Sequence, residues 1–308
     1  MMRFILSCLV SFTLLGCSPP KDDVVIVGNA WLGAMPIYTL AAVDPELIPP
    51  GLKTVMLASD VSVMRMLGNE AVSGAFVTLD NALSVNTFTD GDYCIAMVLD
   101  RSMGADAVMV QNDWQPQAKE PITVGLEDST IARYMLSRWL TLHDLNMTDV
   151  TTRILLPTQH LDAFSERKVD AIITYQPFIE KLRESGAKVI FDSSHPDVSV
   201  VDILILHKAA WSRAKPLVQR LKQSLWPQAL AQLQEREQEF WQGLIELTGS
   251  STEELEKALQ GVHFVTRSEQ QSALERVLQK DMPATANYLV ASGMHDAVVP
   301  LTECGAME

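Results

Sequence analysis

Basic residues are scarce in this chain. Its 308 residues include 24 lysines and arginines against 38 aspartates and glutamates, a formal net charge of −14. Nucleic-acid binding needs a basic face that neutralises phosphates, and adsorption to anionic lipid needs a basic cluster. The composition therefore argues against both kinds of partner.

Long hydrophobic runs are also missing, since no segment reaches the roughly 20 apolar residues of a membrane-spanning helix. The most apolar stretch, Phe4–Leu15, follows Arg3 and has the layout of a secretory signal. It leads into Leu14-Leu15-Gly16-Cys17, which resembles the lipobox of bacterial lipoproteins. The resemblance predicts a signal peptide over 1–16 and lipidation of Cys17, with palmitate among the acyl chains. The alternative is an ordinary signal peptide with a chance cysteine.

The next residues predict a short tether over 17–23, because they are polar and contain two prolines. Ser18 resembles the residue that directs Gram-negative lipoproteins to the outer membrane. The expected location is thus the periplasm, with membrane contact through the lipid anchor only.

Cysteine is rare, with four in the chain. Cys8 belongs to the predicted signal and Cys17 to the lipidation site, which leaves Cys94 and Cys304. In an oxidising compartment these two could pair. Cys94 lies in an apolar stretch, so an inert buried thiol is the other interpretation.

Signatures of catalysis and metal binding are absent from the sequence. None of the six histidines has a second histidine four residues away, and no cysteine pair has zinc spacing. The glycines at 28 and 33 lack the Lys-Ser/Thr ending of a phosphate loop, and no G-x-S-x-G motif occurs. We therefore predict no metal, no cofactor and no catalytic residues.

What the chain does contain is an alternation of apolar strands with helical segments, which is typical of α/β proteins. The first unit is Val24–Pro36, in which a strand over 24–27 leads through Asn29 and Trp31 into a helix. In open α/β sheets, ligands bind beyond the carboxyl ends of the strands. Trp31 is therefore a candidate ligand contact.

Several loose patterns occur in a characteristic order: Trp31-Leu32-Gly33, Gly74-Ala75-Phe76-Val77, Ser102-Met103-Gly104-Ala105-Asp106, Lys168-Val169-Asp170-Ala171 before Tyr175-Gln176-Pro177, and Gly261-Val262-His263-Phe264 in the tail. In this order the chain resembles the extracytoplasmic solute-binding proteins of the nitrate/sulfonate/taurine and thiamine-precursor group. The resemblance implies the type II periplasmic binding protein fold, an α/β fold with two lobes, mainly parallel sheets and a helical C-terminal tail.

The resemblance also implies domain boundaries. Lobe 1 is expected over 24–112 and 208–308, and lobe 2 over 118–200. The hinge crossings are expected at 113–117 and 201–207. Ligand binding would close the lobes over the cleft.

Candidate ligand-binding residues follow from the strand ends and helix starts that face such a cleft. Lobe 1 is expected to contribute Asn29, Trp31, Asp60, Ser62, Thr78, Asp80 and Ser102, and lobe 2 Asp128, Ser129, Thr130, Tyr175 and Gln176. Helix N-termini with hydroxyl groups can hold an oxyanion, as Ser129 and Thr130 would by resemblance to sulfonate binders. The acids and the two aromatic rings instead suit an amine, an amidine-like pyrimidine or another cation. The acids could also be helix caps.

The resemblance implies a monomeric binding protein that delivers a small polar or aromatic molecule to an ABC permease. An alternative is a ligand-sensing lipoprotein that regulates a membrane sensor kinase or cyclase. A third hypothesis is an enzyme on this scaffold, like the thiamine-precursor synthases. The cysteine-rich motif of those synthases has no counterpart here.

Overall fold

The computed structural model describes residues 23–115 and 121–307. The predicted signal peptide, Cys17, Ser18 and the tether up to residue 22 lie outside the described residues. Within them, twelve strands form two sheets. The strands are β1 Val24–Gly28, β2 Leu52–Met56, β3 Gly74–Thr78, β4 Tyr93–Ser102, β5 Asp106–Gln111, β6 Ile122–Leu126, β7 Val150–Ile154, β8 Ala171–Tyr175, β9 Ala187–Asp192, β10 Val201–His207, β11 Val262–Phe264 and β12 Thr302–Glu303.

Helices cover the sheets. They are α1 Met35–Val43, α2 Asp60–Gly68, α3 Leu79–Phe88, α4 Thr130–Leu142, α5 His160–Ser165, α6 Phe178–Glu184, α7 Trp211–Arg220, α8 Trp226–Glu235, α9 Gln238–Thr248, α10 Thr252–Leu259, α11 Gln270–Arg276 and α12 Met282–Ala291. Two π-helical segments, Leu221–Leu225 and Val277–Asp281, connect α7 to α8 and α11 to α12. The tail after β10 is therefore mostly helical, as expected.

The first sheet has the order β11-β4-β10-β3-β1-β2, with β12 beside β4. β1 is parallel to β2 and β3, because helices α1 and α2 return the chain to the same end of the sheet. β10 runs antiparallel between β3 and β4. The strands β1, β3, β4 and β10 are almost wholly buried, since helices cover both faces.

The second sheet has the order β7-β6-β8-β5-β9. β6 is parallel to β7 and β8, whereas β5 is antiparallel to β8 and β9. The α/β fold is confirmed, but the sheets are mixed rather than mainly parallel. The antiparallel pairs arise next to the crossings, because β5 and β10 enter their sheets from the other lobe.

The crossings lie elsewhere than at the expected positions. β4 of the first sheet ends at Ser102 and β5 of the second begins at Asp106, so the first crossing is at 103–105 rather than 113–117. The polar segment around 113–117 follows β5 within the second lobe. The return crossing is at 193–200, and 201–207 is the interior strand β10. The long apolar run there reflects burial within the sheet.

Cys94 in β4 and Cys304 form a disulfide with a Cα–Cα distance of 4.9 Å. Of the two interpretations left open by the sequence, the structure therefore shows the pair. The bond attaches the C-terminal segment to an interior strand of the first sheet. Among the described residues, no helix combines the length and hydrophobicity needed to cross a membrane.

Candidate functional site

A cavity lies between the two lobes, at the ends of the strands. The centre of a water molecule can occupy a volume of about 20 Å³ inside this cavity. This is room for one or two waters. Its polar and aromatic lining residues are Asn29, Trp31, Asp60, Thr78, Asp106, Tyr175 and Asp202, and its apolar ones are Ala34, Phe76, Val77, Leu99, Ile131 and Val200. Both lobes therefore contribute to one site.

Trp31 is held in the loop between β1 and α1. The Asn29 side chain accepts a hydrogen bond from the Trp31 backbone N–H (3.0 Å) and donates one to Asp60 Oδ1 (2.9 Å). The indole Nε1 donates to Asp100 Oδ2 (3.4 Å). At Gly33, a Cβ would lie 1.8 Å from Asp100 Oδ2 and 2.4 Å from the indole nitrogen. Glycine at this position is thus required for the contact of Trp31 with Asp100.

Tyr175 approaches from the other lobe, at the end of β8. Its ring meets that of Trp31 edge-on, with centroids 6.0 Å apart, and that of Phe178 at 5.5 Å. It precedes Gln176, whose peptide bond to Pro177 is cis. The hydroxyl of Tyr175 is buried and has no hydrogen-bond partner among the described residues. The two aromatic rings therefore connect the lobes across the cavity.

Carboxyl groups dominate the polar part of the site. Strand register places Asp202 of β10 directly beside Thr78 of β3 and Asp100 of β4, so these three form one row. In the facing lobe, Asp106 of β5 pairs with Tyr175 of β8. Adjacent paired residues project from the same face of a sheet. Each sheet therefore directs a carboxyl-bearing row towards the cavity.

Further carboxyls lie at helix starts around the same cavity. Asp60 opens α2 and Asp80 lies in the first turn of α3. Glu127 follows β6 of the second lobe, and its Oε1 accepts a hydrogen bond from the Val61 backbone N–H of the first lobe (3.4 Å). This is a direct polar contact between the lobes.

Burial changes the protonation of these acids. It raises the pKa of Asp80 from 3.8 to about 6 and that of Asp106 from 3.8 to about 7. It raises the pKa of Asp100 to about 8, although the indole hydrogen bond opposes the increase. The cause is loss of hydration, which disfavours the charged form.

Mutual repulsion adds to burial. The pKa of Asp60 is raised well above 3.8, first by burial and then by the charge of Glu127. The pKa of Asp202 is likewise raised by burial and by the facing Asp100, and burial also raises that of Glu127. The cluster therefore favours bound protons or a cation.

Of the residues predicted from the sequence, Asn29, Trp31, Asp60, Thr78 and Tyr175 line the cavity. The structure thus brings residues from both predicted lobes together at one place. Their contact with a ligand stays a prediction.

Several predicted residues lie outside the lining because their side chains form local structure. Ser129 caps α4 by accepting from the Ala132 N–H, and Thr130 is the first residue of that helix. Ser62 hydrogen-bonds Ser59, which caps α2. Of the two residues expected at an oxyanion site, Ser129 therefore has its hydroxyl engaged in a helix cap.

The remaining predicted residues have other neighbours. Asp128 is exposed and forms an ion pair with Arg133. Ser102 hydrogen-bonds Ser193 (2.7 Å), which joins the two crossings. Gln176 donates to Glu180 (2.9 Å). Asp80 is buried but lies behind the lining residues.

The sequence-based set did not include the apolar lining residues or two acidic ones, Asp106 and Asp202. Asp106 looked like a loop residue, and Asp202 is an acid within the apolar run 198–206. A charged residue inside an otherwise buried strand is itself a signal, because such a residue is almost never fully buried without a role or a partner.

The cavity does not have the geometry of a metal centre. Within residues 23–115 and 121–307, the group of potential ligands with atoms mutually within 4.8 Å is Glu70, Asp92 and His207. That group has two exposed members and lies outside the cavity.

Comparison with known proteins identifies the fold. The alkanesulfonate-binding protein SsuA from Xanthomonas axonopodis pv. citri, bound to MOPS, is 15% identical, with a TM-score of 0.72 over 89% of this chain and 94% of that one. The periplasmic aliphatic sulphonate-binding protein SsuA from Escherichia coli is 13% identical, with a TM-score of 0.65 over 79% and 85%. The desulfurization enzyme DSZB is 14% identical, with a TM-score of 0.64 over 91% and 95%. The fold is thus shared by binding proteins and an enzyme.

No curated protein matches this chain by sequence. Residues 42–197, just over half of the chain, match the sequence profile of the NMT1-like family. This sequence match is consistent with the likeness in fold to the periplasmic binding proteins. The chain belongs to the NMT1-like family.

Proposed function

We propose that this protein is a periplasmic solute-binding protein, anchored through a lipid on Cys17, that captures a small molecule between its lobes and delivers it to an ABC permease. The observation that carries the proposal is the interlobe cavity, where Trp31 of one lobe meets Tyr175 of the other. A ligand that contacts both rings stabilises the closed arrangement more than the open one. Such differential binding is what drives closure.

The chemistry of the lining supports binding rather than catalysis. Among the described lining residues there is no cysteine, serine or histidine. Covalent catalysis by such a site would need a nucleophile next to a base. The hydroxyls that line the cavity, those of Thr78 and Tyr175, have no hydrogen bond to a base among the described residues.

The test uses the mature chain, residues 17–308, with Cys17→Ser so that it is not lipidated. A panel of amines, sulfonates, pyrimidines and amino acids is screened by thermal denaturation, because a ligand at 1,000 times its Kd stabilises the folded state by about 4 kcal/mol. Small-angle scattering then measures closure. A binding protein gives a shift in melting temperature and a smaller radius of gyration with at least one compound. The absence of both across the panel would refute binding.

A matched pair of variants locates the site. Trp31→Ala should remove the shift, whereas Phe88→Ala, at a side chain that is 77% exposed, should retain it. Equal shifts in both variants would place the binding site elsewhere.

The anchor has its own test. In cells fed radiolabelled palmitate, the full-length chain should be labelled and found in the membrane fraction. Cys17→Ser should abolish the label, whereas Cys8→Ser, in the predicted signal peptide, should not. Labelling of the Cys17 variant would contradict the anchor without bearing on ligand capture.

A further inference from the structure

Three carboxyl groups line the cavity, those of Asp60, Asp106 and Asp202, and three more lie behind or beside them, those of Asp80, Asp100 and Glu127. Each of the six residues is at most 6% exposed. Among the described residues that line the cavity there is no lysine, arginine or histidine. The nearest arginine in sequence, Arg101, turns to Asp281 (2.6 Å) and Ser199 (2.8 Å) instead. The protein thus assembles carboxyl groups without placing a basic side chain among the described lining residues.

Buried polar atoms normally have hydrogen-bond partners. Here the Tyr175 hydroxyl does not, within the described residues, and neither do five carboxyl oxygens: Asp80 Oδ2, Asp100 Oδ1, Asp106 Oδ2, Glu127 Oε2 and Asp202 Oδ2. Three of their residues line the cavity itself. A ligand with several N–H groups would satisfy these oxygens, whereas a sulfonate would add acceptors and a like charge.

The apolar residues of the lining indicate that the part of the ligand between its charged groups is apolar. Phe76, Leu99 and Val200 offer surface for methylene groups. Trp31 and Tyr175 present aromatic rings, which attract cations at their faces. The site therefore combines carboxylates with apolar walls, a combination suited to an organic cation.

A bare metal ion fits less well. Calcium needs six to eight oxygen ligands at about 2.3–2.6 Å from one centre. The cavity carboxyls do not form a group of three with oxygens mutually within 4.8 Å, since the described residues place such a group only at Glu70, Asp92 and His207. Carboxyls that do not converge on one centre favour a ligand with separate donors. Because the cavity has room for one or two waters, such a ligand enters with the lobes further apart.

We propose that the cavity binds a small organic amine or guanidine as a cation, with its N–H groups donating to the carboxyls of both lobes. This assignment rests on the proposed function as a solute-binding protein and specifies its ligand class. Asp106 and Asp202 line the cavity from opposite sheets, so a cation between them holds the lobes together. The resemblance to sulfonate-binding proteins would then extend to the fold and not to the ligand.

The experiment measures binding to the mature Cys17→Ser chain by isothermal titration calorimetry at pH 8. The probes are 1,4-diaminobutane, agmatine, tetramethylammonium, methanesulfonate and calcium chloride, and neutral amides and sugars complete the panel. A diamine or agmatine should bind at least tenfold more tightly than tetramethylammonium, which has charge but no N–H. Methanesulfonate and calcium should not bind at the cavity.

Variants assign the binding to the carboxyls. Asp106→Asn and Asp202→Asn should each weaken the amine by about tenfold or more, because a charged hydrogen bond is lost. Asp162→Asn, at an exposed acid of α5, should change affinity less than twofold. Titrations at pH 7 in buffers of different ionisation enthalpy should also show proton release on amine binding, which a site without titrating carboxyls would not produce.

The other possible results separate failure of the ligand class from failure of the proposed function. Binding of methanesulfonate or a neutral compound, without amine binding, overturns the ligand class but leaves the proposed function in place. Tetramethylammonium binding as tightly as the diamine, or full amine affinity in Asp106→Asn, overturns the role of the carboxyls. If no probe binds and no compound of the wider panel closes the lobes, both proposals fail.

Discussion

Neutralising one acid of the cavity should make the ligand-free protein more stable, and more so at high pH. The substitution is Asp106→Asn, at a side chain that is 6% exposed and has one unpartnered oxygen. Most substitutions of buried polar residues destabilise a protein. A gain in stability is therefore expected only because burial disfavours the charged form of this carboxyl in the folded state.

The magnitude follows from the raised pKa. Burial raises the pKa of the Asp106 carboxyl from 3.8 to about 7 in the folded protein. The folded state therefore holds the proton more tightly than the unfolded state, so stability falls as pH rises from the unfolded pKa to the folded one. One pH unit in this range corresponds to about 1.4 kcal/mol, so the loss is about 4 kcal/mol in total and about 3 kcal/mol between pH 5 and pH 8. Below the unfolded pKa, no such cost exists.

Urea denaturation at pH 5 and pH 8 measures the effect. Asp106→Asn should increase the free energy of unfolding at both values, with up to about 3 kcal/mol more at pH 8. Asp162→Asn, at an exposed acid, is the matched control and should show no such dependence on pH. A variant that is less stable than the parent at pH 8, or one whose effect is equal at both pH values, would refute the account of the acidic cluster.

Three further predictions concern the surroundings of the site. Cys94→Ala should lower the free energy of unfolding by up to about 5 kcal/mol in urea titrations, since the disulfide closes a loop of 210 residues; an unchanged midpoint under non-reducing conditions would contradict this. Gly33→Ala should weaken ligand binding at least tenfold in calorimetry, because the new Cβ occupies the contact of Trp31 with its carboxyl partner; full affinity would show that this contact is dispensable. Asp281→Ala should destabilise the protein by about 3 kcal/mol by leaving the Arg101 guanidinium without its partner, which thermal melts check; a change below about 0.5 kcal/mol would place the pair with weak surface ion pairs.

The sequence by itself determined the order of the elements and the family resemblance. Apolar runs such as 24–27 predicted strands because a short apolar run that ends at turn residues is typical of a buried strand, and the alternation with helices predicted the α/β class. The position of Trp31 directly after the first strand predicted its place at the cleft, because strand ends meet at one edge of a sheet. These features are local in the chain, so they can be read without coordinates.

Only the tertiary structure decided which polar side chains are free for a ligand. Ser129 and Ser62 bear the same hydroxyl whether they bind a ligand or stabilise a helix start. In the folded chain, the Ser129 hydroxyl accepts from a backbone N–H of α4 and the Ser62 hydroxyl pairs with that of Ser59. Asp106 and Asp202 are 96 residues apart and belong to different sheets, and the arrangement of the two lobes brings them to one cavity. Burial raises both pKa values, and neighbouring carboxylates raise them further, that of Asp80 for Asp106 and chiefly that of Asp100 for Asp202. Neither cause exists until both lobes are folded.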